Sequence, residues 1–144
     1  MTIKIHRLTK TAKIPVRGSR DAAGYDLHAD LVRPVYIHPG EVVPIGTGLS
    51  MEIPEGYFGA IYARSGLAFK KGLRPPNCVG VIDSDYRGEI SVGLYNDSPI
   101  PQLVSPGERV AQIIIQPHMT VEFTETDDLS ETVRGGGGFG STGV

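Results

Sequence analysis

The sequence predicts an all-β, jelly-roll-like domain with one short helix and a loose C-terminal arm. Three observations lead there. Nineteen glycines and eleven prolines in 144 residues favour many short strands and turns over long helices. Runs rich in Val, Ile and Tyr recur between Pro-Gly turns, at the spacing of a sandwich or barrel. Only one stretch, residues 65–72, carries helix signals. The chain reads as a β body over residues 1–130 and a glycine-rich arm over 131–144, both parts of one domain.

Taken in order, "TIKIHRL" alternates apolar and polar residues, as a half-buried strand does. "DAAGYDLHA" places Asp26 in a second alternating strand. "EVVPIGTGLSMEI" follows the turn "HPG", and "YFGAIYA" follows "PEG". In "SGLAFKKG", Ser65 is set to cap the helix start and Gly72 to end it. "CVGVI" and "EISVGLYN" flank "DSDYRG", and "RVAQIIIQP" follows "SPGE". "HPGEVVPI" and "SPGERVAQI" echo each other as two similar turn-strand units, without a true repeat.

Composition narrows the function. Hydrophobic residues at 40% and charged ones at 21% are ordinary for a soluble domain. A net charge of −2 argues against a broad nucleic-acid surface, so a phosphate ligand would need a few placed cations. The single cysteine, Cys78, forms no intramolecular disulfide and is expected to pack as a small apolar residue. No apolar run reaches membrane-spanning length, and "MTIKIHRLTK" lacks the apolar core of a signal peptide. A cytoplasmic protein is expected. His6, His28, His38 and His118 lie far apart in sequence, so no zinc site is expected.

The stretch densest in chemistry is "GVIDSDYRGE", residues 80–89. Strand-type runs on both sides make Asp83 to Gly88 the tip of a hairpin. Asp, Ser and Gly suit a solvated turn for backbone reasons alone. Asp83, directly after the apolar "GVI", also suits a carboxylate that orients and deprotonates water. In "ARSGLA", Arg64 and Ser65 stand where a strand meets the helix. Free N–H groups there favour an anion, and a guanidinium and hydroxyl would complete a phosphate cradle. A plain capped helix is the other reading. Asp26, and Arg109 and Gln112 in "GERVAQ", are weak signals alone, because inward polar residues in strands usually satisfy neighbouring backbone.

The ending "RGGGGFGSTGV" is unusual: six of the nine residues from Gly135 to Gly143 are glycine. Ordering nine residues costs on the order of 10 kcal/mol, at about 1–2 kcal/mol each. Burying Phe139 returns only ~1.5–3 kcal/mol. Unaided, this segment should not fold.

Together, "AGYDLHA", "ARSGLA", "NCVGVIDSDYRGE", "GERVAQ" and "RGGGGFGSTG" resemble, in order and wording, the five motifs of the homotrimeric deoxyuridine triphosphatase (dUTPase) family. The resemblance runs from about residue 21 to the last residue. It implies a distorted jelly-roll or β-clip type barrel and cleavage of dUTP to dUMP and pyrophosphate. That activity limits uracil incorporation into DNA and supplies dUMP for thymidylate synthesis. It further implies Mg²⁺ held mainly by the triphosphate and water, and a homotrimer with sites at the subunit interfaces. Neither a nucleic-acid nor a membrane partner is implied.

Carried over residue by residue, the resemblance makes Asp83 the base that activates water against the α-phosphorus. Tyr86 would pack on the deoxyribose and exclude a 2′-hydroxyl. Asn77, Val81, Ile82 and Ser91 would read the uracil edge. Arg64, Ser65 and Gly66 would contact the phosphates, and Gln112 the α-phosphate region. Asp26 would act on the metal through water, and Arg87 and Arg109 would support loop or subunit geometry. In the arm, Phe139 would stack on uracil beside Gly140, while Arg134, Ser141 and Thr142 engage the phosphates. The arm then orders only when substrate offsets its entropy.

Two rivals share this fold. A deoxycytidine triphosphate deaminase needs a glutamate in the strand after the hairpin, and "VGLYN" has Gly93 there, which cannot shuttle protons. A non-catalytic nucleotide-binding relative would have no use for Asp83, Arg64 and the arm together.

Overall fold

Each strand-type run of the sequence forms a strand in the computed structural model, which describes residues 1–141. The order is β1 (Lys4–Arg7), β2 (Val16–Arg17), β3 (Tyr25–His28), β4 (Val35–Ile37), β5 (Val42–Gly46), β6 (Leu49–Glu52) and β7 (Tyr57–Tyr62). Helix α1 (Ser65–Lys71) follows, then β8 (Leu73–Arg74), β9 (Val79–Ile82), β10 (Ser91–Asn96), β11 (Gln102–Val104) and β12 (Arg109–Pro117). Every pairing is antiparallel. The largest sheet runs β2-β3-β12-β7-β9; β5-β10-β8, β1-β6 and β11-β4 form three smaller ones. The all-β, jelly-roll-like expectation holds; among the described residues the strands form four sheets and no closed barrel.

Alternation sets the core. In β10, Val92, Leu94 and Asn96 are buried, and Val92 and Leu94 join a core with Leu27, Ile37, Ile45, Leu73, Val104 and Val110. Asn96 tolerates this because its side-chain amide donates to the carbonyls of Ile37 and Ile100, both at 2.8 Å. Strand β12 departs from simple alternation. Arg109 pairs with His28 and Ala111 with Leu27, so Val110 is an extra residue, a β-bulge. Val110 and Ala111 are therefore both buried.

The helix ends as expected on Gly72, left-handed at φ +65°, whose N–H reaches the carbonyls of Ala68 and Leu67. Its start differs from the sequence reading. Arg64 is the N-cap residue, in extended geometry and without a side-chain cap, and Ser65 lies one position inside. The expected 83–88 hairpin is also corrected. Strand β9 pairs with β7 and β10 with β5 and β8, so residues 83–90 cross between two sheets. The cause lies in the turn between β5 and β6: Thr47 N–H donates to the Ile90 carbonyl at 3.2 Å, and Ile90 N–H to the Leu49 carbonyl at 2.8 Å. These bonds draw the start of β10 away from β9.

Beyond Pro117 the described residues join no strand. Met119, Phe123 and Leu129 stand exposed there.

Candidate functional site

At one end of the large sheet, three motifs converge on Asp26. Asp26 on β3 lies directly across from Gln112 on β12, and His28, two residues on, lies across from Arg109. Residues 109 and 112 would face opposite sides of a regular strand. The bulge at Val110 brings both onto the face that Asp26 shares. The Asp26 side chain is only 10% exposed. It accepts from Arg64 Nε at 2.7 Å on one oxygen and from Arg109 Nη1 at 3.2 Å on the other. Gln112 donates through Nε2 to the Ala63 carbonyl at 2.9 Å, fixing the residue before Arg64. Gly24 is glycine for a local reason, since a methyl group there would overlap the Gln112 amide. Ser65 and Gly66 are exposed beside this cluster, and a side chain at Gly66 would meet only open space.

The cluster is electropositive. Burial lowers the pKa of His28, Lys13, Arg109 and Arg64 push the same way, and Asp26 opposes them. The His28 Nδ1 atom is buried without a hydrogen-bond partner.

At the opposite end of β7, Asp83 opens onto a pocket of about 170 Å³ lined by Val81, Ile82, Tyr86, Glu89 and Ser91. Asp83 is exposed and follows the edge strand β9, whose outer backbone groups face away from β7. Tyr86 N–H donates to the Asp83 carbonyl at 3.2 Å. The Tyr86 hydroxyl donates to the Glu89 carbonyl at 3.0 Å. Arg87 Nη1 donates to the carbonyls of Ser84 at 2.6 Å and Tyr86 at 3.0 Å, bracing the loop from within.

Asn77 is exposed one turn before β9, and its carbonyl accepts from Val79 N–H at 2.6 Å. This tight turn puts Cys78 at φ +62° and leaves it exposed, which corrects the packed cysteine expected from sequence. A left-handed residue between two turn-bonded neighbours has no route into the core.

Within one chain the two ends do not meet. Ile82 pairs with Gly59 and Val79 with Tyr62, so Asp83 stands level with Phe58 near one end of β7, and Arg64 lies past the other end. Six residues of strand at about 3.3 Å each set them roughly 20 Å apart. The described part of the arm, residues 131–141, makes no hydrogen bond to either. Arg134 Nε donates to the Gly137 carbonyl at 2.8 Å, Phe139 is fully exposed, and Ser141 N–H donates to the Gly138 carbonyl. Gly140 is left-handed at φ +91°. Thr142 lies outside the described residues.

Among the described residues no three His, Cys, Asp or Glu side chains gather into a metal cage. The donor set therefore fits a cation carried by a ligand's phosphates and touched through water. Asp26 retains free lone pairs for such a water after accepting from its two arginines.

Sequence reasoning missed the supports of the Asp83 loop. Buried Thr47 donates to the Ile90 carbonyl at 2.6 Å, and buried Ser50 to the Arg87 carbonyl at 2.7 Å. Their signal was present in "GTGLS", where two hydroxyls interrupt an apolar strand run. The bulge at Val110 had no such signal.

The family model described as dUTPase matches residues 10–143. A deoxyuridine 5′-triphosphate nucleotidohydrolase of Nautilia profundicola is 50% identical, over 99% of both chains. One from Paramecium bursaria Chlorella virus 1 is 41% identical over 99% of both. Among solved structures, a variant of the Staphylococcus bacteriophage 80alpha dUTPase with dUpNHpp superposes with a TM-score of 0.85, 30% identity and 99% of both chains covered. A phage phi11 dUTPase variant, described with a structural Mg(II) ion, shares the fold at a TM-score of 0.81 and 24% identity.

Proposed function

The chain belongs to the dUTPase family, and from that premise we propose how its residues hydrolyse dUTP to dUMP and pyrophosphate. The observation that carries the activity is the 50% identity, over nearly the whole chain, to a deoxyuridine 5′-triphosphate nucleotidohydrolase. The roles of individual residues are our reading.

Uracil enters the pocket beside β9. The unpaired backbone edge of Val81 and Ile82, with Asn77 and Ser91, matches its N3–H donor and two carbonyl acceptors. Discrimination is strong where a wrong base would leave buried polar groups unpaired. The Tyr86 ring occupies the space a ribose 2′-hydroxyl would need. Asp83 accepts a proton from water as the water oxygen bonds to the α-phosphorus. The bond from that phosphorus to the bridging oxygen then breaks, and pyrophosphate leaves. Arg64, Ser65, Gly66 and Gln112 hold the phosphates, with Arg64 itself oriented by Asp26. Bound Mg²⁺ neutralises triphosphate charge, and Asp26 would contact it through water.

Because Asp83 and Arg64 lie at opposite ends of β7, one triphosphate cannot reach both within one chain. That separation supports a site built between copies of the chain, in a homotrimer. The exposed apolar residues beyond Pro117 support it too, as does an apolar groove of about 390 Å³ among Ile3, Ile5, Ile14, Ile113 and Ile115. Residues 131–144 then serve as a lid, with Phe139 on the base, Gly140 giving the turn, and Arg134, Ser141 and Thr142 on the phosphates. A cytoplasmic location accords with this reading, and no helix among the described residues is long and apolar enough to cross a membrane.

The test is a panel of dUTP, UTP, dTTP and dCTP with Mg²⁺, scored for pyrophosphate release. Release from dUTP far above the other three is expected. Equal release from all four would overturn the assigned selectivity.

A further inference from the structure

The reading of Tyr86 as the sugar-selecting residue leaves open what holds its ring in place. Tyr86 sits in an exposed loop, and a side chain free to swing would select poorly. Its hydroxyl bonds to the Glu89 carbonyl at 3.0 Å. Its ring lies so close over Gly88 that a Cβ there would come within 2.6 Å of Tyr86 Cζ. Both contacts are made to the backbone of residues 88 and 89.

That backbone is gripped from the body of the protein by the turn between β5 and β6 and by the start of β6. Ser50 holds the Arg87 carbonyl at 2.7 Å and Thr47 the Ile90 carbonyl at 2.6 Å, one on each side of residues 88 and 89. Between these two grips one loop side chain reaches back. Glu89 Oε1 accepts from Gly48 N–H at 2.8 Å. Gly46 makes room for it: a Cβ at that position would stand 2.5 Å from the same oxygen. Glu89 also lines the pocket beside Asp83, so its displacement is felt there directly.

We propose that Glu89 is a positioning residue for sugar selection, whose carboxylate, anchored on the Gly48 N–H, fixes the backbone against which the Tyr86 ring is set. Losing the anchor lets residues 88 and 89 shift and opens space beside C2′. The inference rests on the proposed role of Tyr86. Its test is built to separate the two.

The experiment measures kcat and KM for dUTP and UTP in the parent, Tyr86→Ala, Glu89→Ala, Glu89→Gln and Gly46→Ala, with a thermal melt of each. Glu89→Ala should lower the dUTP-over-UTP ratio of kcat/KM roughly tenfold, the weight of one charge-assisted hydrogen bond. Its melt should stay close to the parent's, because Glu89 is exposed and Thr47 and Ser50 remain. Glu89→Gln keeps an acceptor for Gly48 and should keep the selectivity. Gly46→Ala crowds the carboxylate from the other side and should relax selectivity as Glu89→Ala does.

Parent-like selectivity in Glu89→Ala and Gly46→Ala, alongside its loss in Tyr86→Ala, would overturn the inference and leave the Tyr86 role standing. Glu89→Gln as relaxed as Glu89→Ala would overturn it too, since the acceptor would then be irrelevant. Parent-like selectivity in Tyr86→Ala would remove the Tyr86 role, and this inference with it.

Discussion

The loop around Asp83 and the arm around Phe139 are both exposed, irregular and glycine-bearing, yet they are held in opposite ways. Residues 83–90 are tied to the body by two buried hydroxyls, a carboxylate and the fully buried Ile90. Residues 131–141 make only local turns, and their one large aromatic packs on nothing. The difference suits the two tasks proposed for them. A group that takes a proton in the transition state gains from a fixed position. A lid that must admit and release a nucleotide gains from remaining unpaid for until the nucleotide arrives.

The sharpest break of this comparison comes at the fixed end. Asp83→Asn keeps the shape of the loop and removes the proposed base, so kcat for dUTP should fall about 10²–10⁴-fold, the usual weight of one general base. Binding of dUpNHpp should persist, as read by calorimetry. Undiminished kcat would remove Asp83 from its role.

At the other end, Phe139→Ala would remove the proposed base-stacking contact, worth about 1–3 kcal/mol or roughly 5- to 150-fold in kcat/KM. Its denaturant melt should match the parent's, because the ring packs on nothing in the free protein. A lowered melting midpoint would mean that the arm is part of the fold.

Thr47→Val should behave in the reverse sense, costing stability through a lost buried hydrogen bond of about 0.5–1.5 kcal/mol. The cost is moderate because the Thr47 N–H still reaches the Ile90 carbonyl. Urea melts read it directly, and an unchanged midpoint would deny that the loop is clamped.

The smallest effect belongs to His28. Its folded-state pKa lies below the ordinary 6.5, so between the two values the unfolded chain binds more protons. Stability should therefore decline as pH falls below about 6.5, and His28→Gln should flatten that slope. Solvent screening keeps the change slight. A parent-like slope in the variant would assign the dependence elsewhere.

What was legible in the sequence was local. Val- and Ile-rich runs became strands, and Gly72 ended the helix because only its own φ had to be right. Gln112 on β12 and Arg64, two residues beyond β7, come near Asp26 on β3 because antiparallel pairing sets β12 between β3 and β7. Partner choice over long separations was not legible. That β9 turns to β7 while β10 turns to β5 is decided by Thr47 and Leu49 bonding to Ile90, more than forty positions away. Nor could spacing show that Arg109 and Gln112 share a face, since that depends on a bulge at an ordinary valine. Cys78 misled because residue type favoured burial while its turn forbade it.

The central claim is that no single chain holds a complete site, because Asp83 and Arg64 lie roughly 20 Å apart along β7. Mixing tests it. Asp83→Asn and Arg64→Ala are each expected to be inactive alone. After co-refolding in equal amounts, about a quarter of the head-to-tail interfaces would pair an intact Asp83 from one chain with an intact Arg64 from another. The account predicts that dUTP hydrolysis returns on mixing, toward that fraction of the parent's activity. Verified mixed assemblies that stay inactive would contradict it, since each site would then draw both groups from the same chain.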